Sequence, residues 1–426
     1  MSRLLLLMGV LGASVVQAAE LTRVASSFEE KDPFGMYLDF TFDRLQDKGR
    51  LTREWYQGNQ TVDVNELNYL HVQTSLGFDV HLGIFRDLEL HVGVPIIFQD
   101  DRNWTFSKDT DPTNTTITRN CPNARGDLCA SPGAGTNSLF EGDPKRFNGP
   151  DGVSSYRAGL GDFTFGLAWA PYVQAKDSSK PTWVLKFDWT APTATMLNPS
   201  VATNAMSRGA IGDRVHKYTF ATAVSKRLYI IEPYFELHYT LPWNGSGWYS
   251  NCDTPGNAAM GHPENCGNNW SRAETGMKPQ HTGGVNFGTE LTMFERADRH
   301  QRVLFDIRGW LTYFSEGRVY NEMSDLFGKL LYTGDYGQLG GQVGFVAQAA
   351  EFVILRAYTS FAYNTERFLT SENVGKDLNG NGVVDVTAAP QELSPTYDFR
   401  VDRVGRRFRM QENYLFRVQV TATFNF

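Results

Sequence analysis

The chain has 426 residues, a net charge of −7, a hydrophobic fraction of 41% and a mean hydropathy of −0.36. The acidic balance argues against nucleic acid as a partner, and the mean hydropathy is too polar for a bundle of membrane-spanning helices. The 29 Phe, 18 Tyr and 40 Gly are the residue types that the strands and interfacial girdles of β-barrels use. We therefore expect a single all-β domain.

The first residues have the pattern of a secretory signal peptide. Arg3 is followed by an apolar run from Leu4 and by the small-residue sequence Val16-Gln17-Ala18. A basic start, an apolar stretch and a small-residue cleavage site are what the export machinery recognises. We predict residues 1–19 as the signal peptide, 20–33 as a short periplasmic lead-in and 34–426 as one barrel domain.

Strands with one apolar face follow one another along the chain. In the first, Met36, Leu38, Phe40 and Phe42 alternate with polar residues. The period of two predicts β-strands, and comparable segments give about twelve of them. Long polar connections, the first to about Glu66, alternate with tight ones, the first at Phe85-Arg86-Asp87. This is typical of antiparallel outer-membrane barrels with short periplasmic turns and long outer loops.

The last strand ends the chain on an aromatic residue. Tyr414, Phe416, Val418, Val420 and Phe424 share one face with Phe426. In a soluble β-sandwich, the alternative, such an apolar edge would invite aggregation, whereas in a lipid-embedded barrel it faces acyl chains. The ending resembles the C-terminal recognition strand of Gram-negative outer-membrane barrels. We therefore predict outer-membrane lipid and the outer-membrane assembly machinery as partners.

Charged and histidine side chains lie on the opposite faces of these strands, and we predict that they line the lumen. They are Asp39, Asp79, His81, Glu89, His91, Lys186, Asp188, Glu236, His238, Glu290, Asp306, Arg308, Arg356 and Arg417. Charged side chains inside a barrel must either form ion pairs with one another or contact water. A turn centred on Phe85 would place His81 opposite Glu89 and Asp79 opposite His91. A metal site is disfavoured, because His71, His81 and His91 should lie at different heights.

Four cysteines lie in two of the long outer loops. Cys121 and Cys129 are in the second, and Cys252 and Cys266 are in the fourth. Local pairing within polar loops of an exported chain predicts two disulfides. A metal site is the alternative for the second pair, since His262 is nearby, but the spacing is not that of a zinc motif.

A late loop resembles the calcium loops of EF-hand and dockerin-like repeats. Its ligands would be the side chains of Asp377, Asn379, Asn381 and Asp385 and the carbonyl of Val383. Ala388 stands where these loops carry a bidentate glutamate, which would weaken binding. A solvated Asn-Gly turn is the alternative. We predict that the protein requires no cofactor and that calcium, if bound, occupies only this outer loop.

Two short patterns carry a family resemblance. The stretch from Phe85 to Pro95 and the sequence Gly159-Leu160-Gly161-Asp162, which opens a strand after a long loop, look like Gram-negative outer-membrane channel proteins. The group that the chain resembles is the barrel family named after the meta-pathway of phenol degradation. That resemblance implies transport of small, often aromatic compounds and brings no catalytic residues.

The sequence therefore predicts a porin-like outer-membrane channel for the passive passage of small solutes. Carboxylates outnumber Lys and Arg on the lumen faces, which predicts a weak cation preference. The alternative is a structural or surface-interaction barrel whose lumen is closed by its own charges and loops. An outer-membrane hydrolase fits less well, because the sequence has no GxSxG elbow, and we predict that the chain is not an enzyme.

Overall fold

The computed structural model describes residues 19–25, 35–57, 59–111, 115–117, 152–253 and 262–426. The strands are β1 (Met36–Gln57), β2 (Gln60–Phe85), β3 (Leu88–Phe106), β4 (Val153–Leu160), β5 (Phe163–Tyr172), β6 (Thr182–Ala191), β7 (Val215–Ser225), β8 (Ile231–Asn244), β9 (Thr282–Arg296), β10 (Gln301–Phe314), β11 (Gly317–Val319), β12 (Leu331–Thr333), β13 (Tyr336–Ala350), β14 (Val353–Asn364), β15 (Arg367–Phe368) and β16 (Phe408–Asn425).

Helical structure is confined to single turns. The α-helices are α1 (Arg272–Thr275) and α2 (Ser324–Phe327), and 3-10 turns occur at Glu20–Thr22, Asn251–Asp253, Pro263–Asn265, Ala297–Arg299 and Pro390–Glu392. Among the described residues, none of these helices is long or apolar enough to cross a membrane.

The strands close into an antiparallel barrel, which confirms the predicted fold class. Successive strands of the barrel wall pair with each other, while β11 and β12 form a separate small sheet in the connection between β10 and β13. β16 returns to pair with β1, from Asn425 opposite Tyr37 to Phe408 opposite Arg53. β4 and β5 together act as one strand, so the barrel has 12 strands. Closure leaves no free edge, so every strand can place its backbone N–H and C=O groups in ladders even in lipid.

One strand of the wall is interrupted. β4 and β5 are separated by Gly161 and Asp162, and the N–H of Gly161 donates to the carbonyl of Pro95 over 2.8 Å. Proline lacks the N–H that a ladder needs, so β3 and its partner change register here. Beside β4, the loop after β6 completes the wall, since Gly209 N–H donates to Tyr156 O over 2.8 Å.

The outer surface of the barrel is apolar, as the period-two pattern predicts. Phe40 and Phe42 on β1, Phe345 on β13 and Phe361 on β14 are all exposed, together with Phe416 on β16. Lipid acyl chains are the environment in which such a belt is stable. The polar residues of the same strands point into the lumen.

The connections differ in length at the two ends of the barrel. The turns after β2, β7, β9 and β13 are short, and the connections after β3, β6, β8, β10 and β14 are long. The prediction of a polar loop after the first strand, to about Glu66, was wrong. β1 and β2 instead continue as a paired hairpin as far as Gln57 and Gln60, because their outer parts gain ladder hydrogen bonds and pack against other loops.

The outer loops form a packed structure of their own above the barrel, which we call the outer cap. Its apolar core unites the outer ends of β1, β2, β3 and β16 with the connections after β10 and β14. The buried residues of this core are Leu51, Leu67, Tyr69, Trp104, Ile117, Met323, Leu326, Phe327, Leu331, Leu369, Val401, Phe408 and Met410. Burial of this apolar surface holds the long loops together.

A disulfide joins Cys252 and Cys266 in the connection after β8. Next to it, the Arg272 guanidinium of α1 donates to Asp253 Oδ2 over 2.8 Å. The predicted pair Cys121 and Cys129 lies outside the described residues and stays a prediction.

Removing the disulfide should loosen this loop and leave the barrel intact. Closing a loop of this length stabilises by about 3 kcal/mol, mainly by restricting the unfolded loop. In Cys252→Ser/Cys266→Ser, we expect trypsin to cleave after Arg272 at least tenfold faster. The heat-modifiable migration of the folded barrel on gels should not change. Equal cleavage rates in both proteins would show that other contacts hold the loop.

Candidate functional site

The lumen of the barrel is lined by paired charges. Lys186 Nζ lies 3.3 Å from Glu236 Oε2, and Arg417 Nε lies 3.2 Å from Asp43 Oδ2. Arg417 on β16 and Asp43 on β1 are on neighbouring strands, whereas Lys186 on β6 reaches across β7 to Glu236 on β8. The side chains meet because every second residue of a strand points inward. Pairing lowers the cost of holding these charges away from bulk water.

A second group of lumen charges lies near the periplasmic ends of β10, β14 and β16. Arg308 Nη2 lies 3.6 Å from Asp306 Oδ2, and Arg356 Nη1 lies 3.8 Å from Asp39 Oδ1. Arg356 also donates to Thr423 Oγ1 over 2.5 Å. These side chains surround the space into which the start of the described chain inserts.

Residues 19–25, which we call the N-terminal segment, lie inside the periplasmic mouth of the barrel. The Glu20 carboxylate accepts from Tyr358 Oη over 2.5 Å and from Arg308 Nη2 over 3.3 Å, and Arg356 Nε is 3.8 Å away. Arg23 Nη2 donates to Asn425 Oδ1 over 2.6 Å. The segment therefore contributes both an acid and a base to the lumen network.

The backbone of the N-terminal segment is held by carboxylates of the barrel wall. Ala19 N–H donates to Glu232 Oε1 over 2.7 Å, and Glu20 N–H donates to Glu290 Oε1 over 2.9 Å. Ala25 N–H donates to Glu89 Oε2 over 2.5 Å. Hydrogen bonds to ionised acceptors are among the stronger ones in proteins.

Little space remains around this segment. Val24 packs against a small apolar cluster formed by Ala168, Ala170 and Val184. A residual cavity of about 10 Å³ lies between the segment and the wall near Glu20. That volume holds about one water molecule, so the segment packs tightly against this part of the wall.

Sequence reasoning treated residues 20–33 as a lead-in and did not place Glu20, Arg23, Glu232 or Arg302 in the lumen. Residues 26–34 lie outside the described part of the chain. The available signal was the charge of Glu20 and Arg23 directly after the predicted cleavage site. No sequence period connects that pair to carboxylates more than 200 residues away, and only barrel closure brings them together.

A larger cavity lies at the outer end of the lumen, beneath the loops. Its volume is about 490 Å³. Thr219, Thr240 and Lys217 on the wall give it a polar side, and Lys217 Nζ pairs with Asp213 Oδ2 over 2.8 Å. Leu197 and Leu330, with other apolar loop residues, give it an apolar side. Cavities of this size with both kinds of lining suit small amphipathic molecules.

The pairing of β2 with β3 differs from the predicted register. His81 lies opposite His91, not Glu89, and Asp79 lies opposite Gly93, not His91. The turn is centred between Arg86 and Asp87, which alone would shift the pairing by three residues, and a bulge between Gly83 and Phe85 reverses one of them. The net shift from the predicted register is therefore two residues. An even shift keeps every side chain on its predicted face.

Three of the lumen residues consequently meet at one place. His81 Nδ1 lies 2.7 Å from Glu89 Oε1, and His91 Nδ1 lies 3.4 Å from the same oxygen. His91 Nε2 contacts Asp188 Oδ1 over 2.8 Å. The prediction that the histidines are far apart in height was therefore wrong for His81 and His91, because the bulge sets them side by side.

The other lumen histidines stand apart from this group. His71 Nε2 lies 3.3 Å from Asp100 Oδ1 on β3. His238, on β8, has its Nδ1 buried without a hydrogen-bond partner among the described residues. Among the described residues, neither belongs to the group formed by His81, Glu89 and His91.

The predicted calcium loop lies exposed in the connection after β14. Asp377 accepts from the N–H groups of Gly380 and Gly382 over 2.6 and 2.7 Å, and Gly382 has a positive φ of 88°. The hydrogen bond from Gly382 N–H, with those of neighbouring amides, lowers the pKa of the Asp377 carboxyl. This carboxyl therefore stays ionised and faces the centre of the loop.

The other side chains of this loop point to the same centre. Asn381 Oδ1 accepts from Val383 N–H over 2.9 Å, and Asn381 Nδ2 donates to Asp385 Oδ2 over 2.8 Å. Glu392, which sequence reasoning missed, is fully buried beneath the loop and accepts from Asp385 N–H over 2.7 Å. Its oxygens bind backbone N–H groups, so it does not replace the ligand absent at Ala388.

Strand pairing, the lipid-facing apolar belt and the charged lumen define an outer-membrane β-barrel. No family model matches the chain, and no curated protein matches it. The resemblance to the family named after the meta-pathway of phenol degradation therefore stays a prediction.

Comparison with solved structures finds outer-membrane proteins at low similarity. One is an outer-membrane channel from Pseudomonas putida F1, at 10% identity and a TM-score of 0.42, covering 91% of this chain and 95% of that one. Another is a Pseudomonas aeruginosa FadL homologue, at 9% identity and a TM-score of 0.37, covering 91% and 90%. A third is the outer-membrane protease OmpT from Escherichia coli, at 6% identity and a TM-score of 0.30, covering 92% and 96%. Similarity at this level says nothing about what this chain transports or cleaves.

Calcium binding by the loop from Asp377 to Asp385 stays a prediction. With Ala388 at the twelfth position, we expect a dissociation constant of about 10⁻⁴ to 10⁻³ M. Calorimetric titration of the refolded protein should show heat at millimolar calcium, and Asp377→Ala should abolish it. Asp298→Ala, which removes an exposed carboxylate from a periplasmic turn, is the control. Absence of heat in the unmodified protein, or equal heat in Asp377→Ala, would contradict the prediction.

Proposed function

We propose that this protein is an outer-membrane channel for small solutes and that the N-terminal segment closes it at the periplasmic mouth. The observation that carries the proposal is the way the segment is held. Glu20, Arg23 and the backbone of Ala25 contact the wall through ion pairs and hydrogen bonds, with no covalent link among the described residues. Contacts of this kind can be exchanged for water when the segment leaves.

The cavity beneath the outer cap supports the transport part of the proposal. It lies on the lumen side of the wall, directly above the charged part of the barrel, and combines polar and apolar lining. A small amphipathic solute entering through the loops would stay there until the periplasmic mouth opens. Passage would be passive, as in a porin, because solutes need only a path and a gradient.

The alternative is a structural or surface-interaction barrel whose lumen never opens. The paired lumen charges and the packed outer cap are compatible with it. The channel hypothesis and the structural-barrel hypothesis differ in whether the N-terminal segment can leave its site. An enzymatic role is not part of the proposal.

Export and assembly complete the proposal. The signal peptide predicted over residues 1–19 lies outside the described residues except for Ala19. At the other end, Phe426 N–H donates to Met36 O over 2.9 Å and its side chain is exposed. We propose that this terminal strand is recognised by the outer-membrane assembly machinery and that the apolar belt then contacts outer-membrane lipid.

Weakening the hold on the N-terminal segment should open the channel. Glu20→Ala removes the acceptor of Arg308, Arg356 and Tyr358, so the closed state loses contacts that an open state does not need. In planar bilayers, we expect rare openings of the unmodified protein and an open probability at least tenfold higher in the variant. Removing one partner of a partly buried, hydrogen-bonded ion pair changes the free energy enough for such an effect.

Glu295→Ala is the matched control, since Glu295 pairs with Arg227 over 2.6 Å at a periplasmic turn outside the lumen. It should behave like the unmodified protein. Silence of all three proteins across voltage would favour the structural barrel. Equal opening of the unmodified protein and Glu20→Ala would show that the segment does not close the mouth.

The open channel should prefer cations weakly. Acidic residues still outnumber Lys and Arg in the lumen once Glu20, Glu232, Arg23 and Arg302 are included, although pairing cancels much of the excess. Reversal potentials of Glu20→Ala in a salt gradient should show this preference. It should fade toward 1 M salt, where the screening length is about 3 Å. Clear anion selectivity at neutral pH would contradict the assignment of the lumen charges.

A further inference from the structure

His81, Glu89 and His91 present three metal-ligating atoms to one point in the lumen. These atoms all lie within 4.8 Å of one another. Around a tetrahedral zinc-like ion, ligand atoms are about 3.3 Å apart, given metal–ligand distances of about 2.0–2.1 Å. The distances from Glu89 Oε1 to the two Nδ1 atoms are 2.7 and 3.4 Å. Side-chain adjustments of less than about 1 Å would complete the set.

The two imidazoles are oriented in the same way. Each has Nδ1 toward Glu89 and Nε2 toward an aspartate, since His91 Nε2 is 2.8 Å from Asp188 Oδ1 and His81 Nε2 is 4.0 Å from Asp39 Oδ2. For His91, an Nε2–H donated to Asp188 leaves the lone pair on Nδ1, which is the arrangement found behind metal-binding histidines. His81 Nδ1 donates to Glu89 in this structure and would give up its proton on binding an ion. The aspartates are thus placed as outer partners of the ligands.

The Nδ1 atom of His91 makes no hydrogen bond to any described residue. It is buried and has no hydrogen-bond partner, because its 3.4 Å approach to Glu89 Oε1 lacks hydrogen-bond geometry. A buried nitrogen without a partner costs free energy. A bound cation would supply the missing partner.

The surroundings favour a dication. Asp39, Asp79 and Asp188 lie around the two histidines, in addition to Glu89. Among the described residues, Arg23 and Arg356 are the permanent cations close to this group, and they also contact Asn425 and Glu20, respectively. Carboxylates therefore exceed fixed positive charges at this place, and a divalent ion would reduce their mutual repulsion.

The wall leaves room for the group. Gly166 on β5 lies against it, and a Cβ atom there would be 2.1 Å from His91 Nε2 and 2.2 Å from Asp188 Oδ1. Any larger residue would push the imidazole and the aspartate apart. The His91–Asp188 pair thus depends on a glycine in the neighbouring strand.

We propose that His81, Glu89 and His91 form a binding site for one divalent first-row transition-metal ion of the zinc type, at the periplasmic end of the lumen. Two imidazole nitrogens and one carboxylate oxygen suit such ions better than calcium or magnesium, which take oxygen ligands. Water would fill the fourth position. The side chains of His81 and His91 are 17% and 16% exposed, so the ion can reach them.

The site touches the N-terminal segment through Glu89. Its Oε1 faces the metal position, and its Oε2 accepts from Ala25 N–H over 2.5 Å and from Tyr37 Oη over 3.3 Å. The ion and the segment therefore use different oxygens of one carboxylate. An ion that fixes Glu89 also fixes the acceptor that holds Ala25, so occupancy favours the closed mouth. This consequence rests on the proposed function, whereas the metal site does not.

Cobalt titration of the full mature protein, tag-free and refolded in detergent, tests the site. With millimolar magnesium present to occupy oxygen-only sites, visible absorption should report one Co²⁺ per chain, displaced by Zn²⁺. His81→Gln and His91→Gln keep side-chain size but are poor ligands, and each should weaken binding at least tenfold. Asp188→Asn should weaken it by about tenfold and keep the stoichiometry, as outer partners do.

His238→Gln, at another lumen histidine, is the matched control and should change the affinity less than twofold. Heat-modifiable migration verifies that each variant folds. If the double variant His81→Gln/His91→Gln binds Co²⁺ like the unmodified protein, or if the unmodified protein gives no cobalt spectrum, the site does not exist and the histidines serve as ion-pair lining. In bilayers, micromolar Zn²⁺ should lengthen closed times of the unmodified protein but not of His91→Gln. Metal binding without this effect would overturn the coupling alone.

Discussion

Closure of the sheet on itself is the constraint on which the rest of the structure depends. Once β16 pairs with β1, every strand must turn one face to lipid and the other to the lumen, with no edge to absorb exceptions. The lipid face can only be apolar, so charge and hydrogen-bonding capacity concentrate inside. Glu20 and Arg23 of the N-terminal segment then act as counter-charges to wall residues, in the same way that Lys186 does for Glu236.

Glu89 shows how closely these inward-facing residues are coupled. It is almost fully buried, yet it contacts His81 on the neighbouring strand and Ala25 in the N-terminal segment. A carboxylate can accept several hydrogen bonds at once, so one side chain can serve both neighbours. Substitution of Glu89 therefore changes its contacts with His81 and with Ala25 at the same time. Substitution of Asp188 changes the contact with His91 and leaves the hydrogen bond between Glu89 and Ala25 in place.

The strand framework could be predicted from the sequence because it depends on local alternation, as in the run from Tyr414 to Phe426. Features set by distant contacts could not. The position of the turn and the bulge between Gly83 and Phe85 together shift the pairing by two residues without changing any face, so alternation carries no trace of this shift. The position of Glu20 in the lumen and the outer extension of β1 depend on partners far away in the chain. For these, composition and period give no information.

The outer cap has a consequence for the order of folding. Its core joins Leu51 near the start of the barrel, Leu331 after β10 and Phe408 at the beginning of the last strand. These residues become neighbours only when the first and last strands lie side by side. Contacts between such distant parts of a chain form late, because their loop-closure entropy must first be overcome. A folded outer cap on the cell surface therefore indicates that β1 and β16 have already paired and closed the barrel.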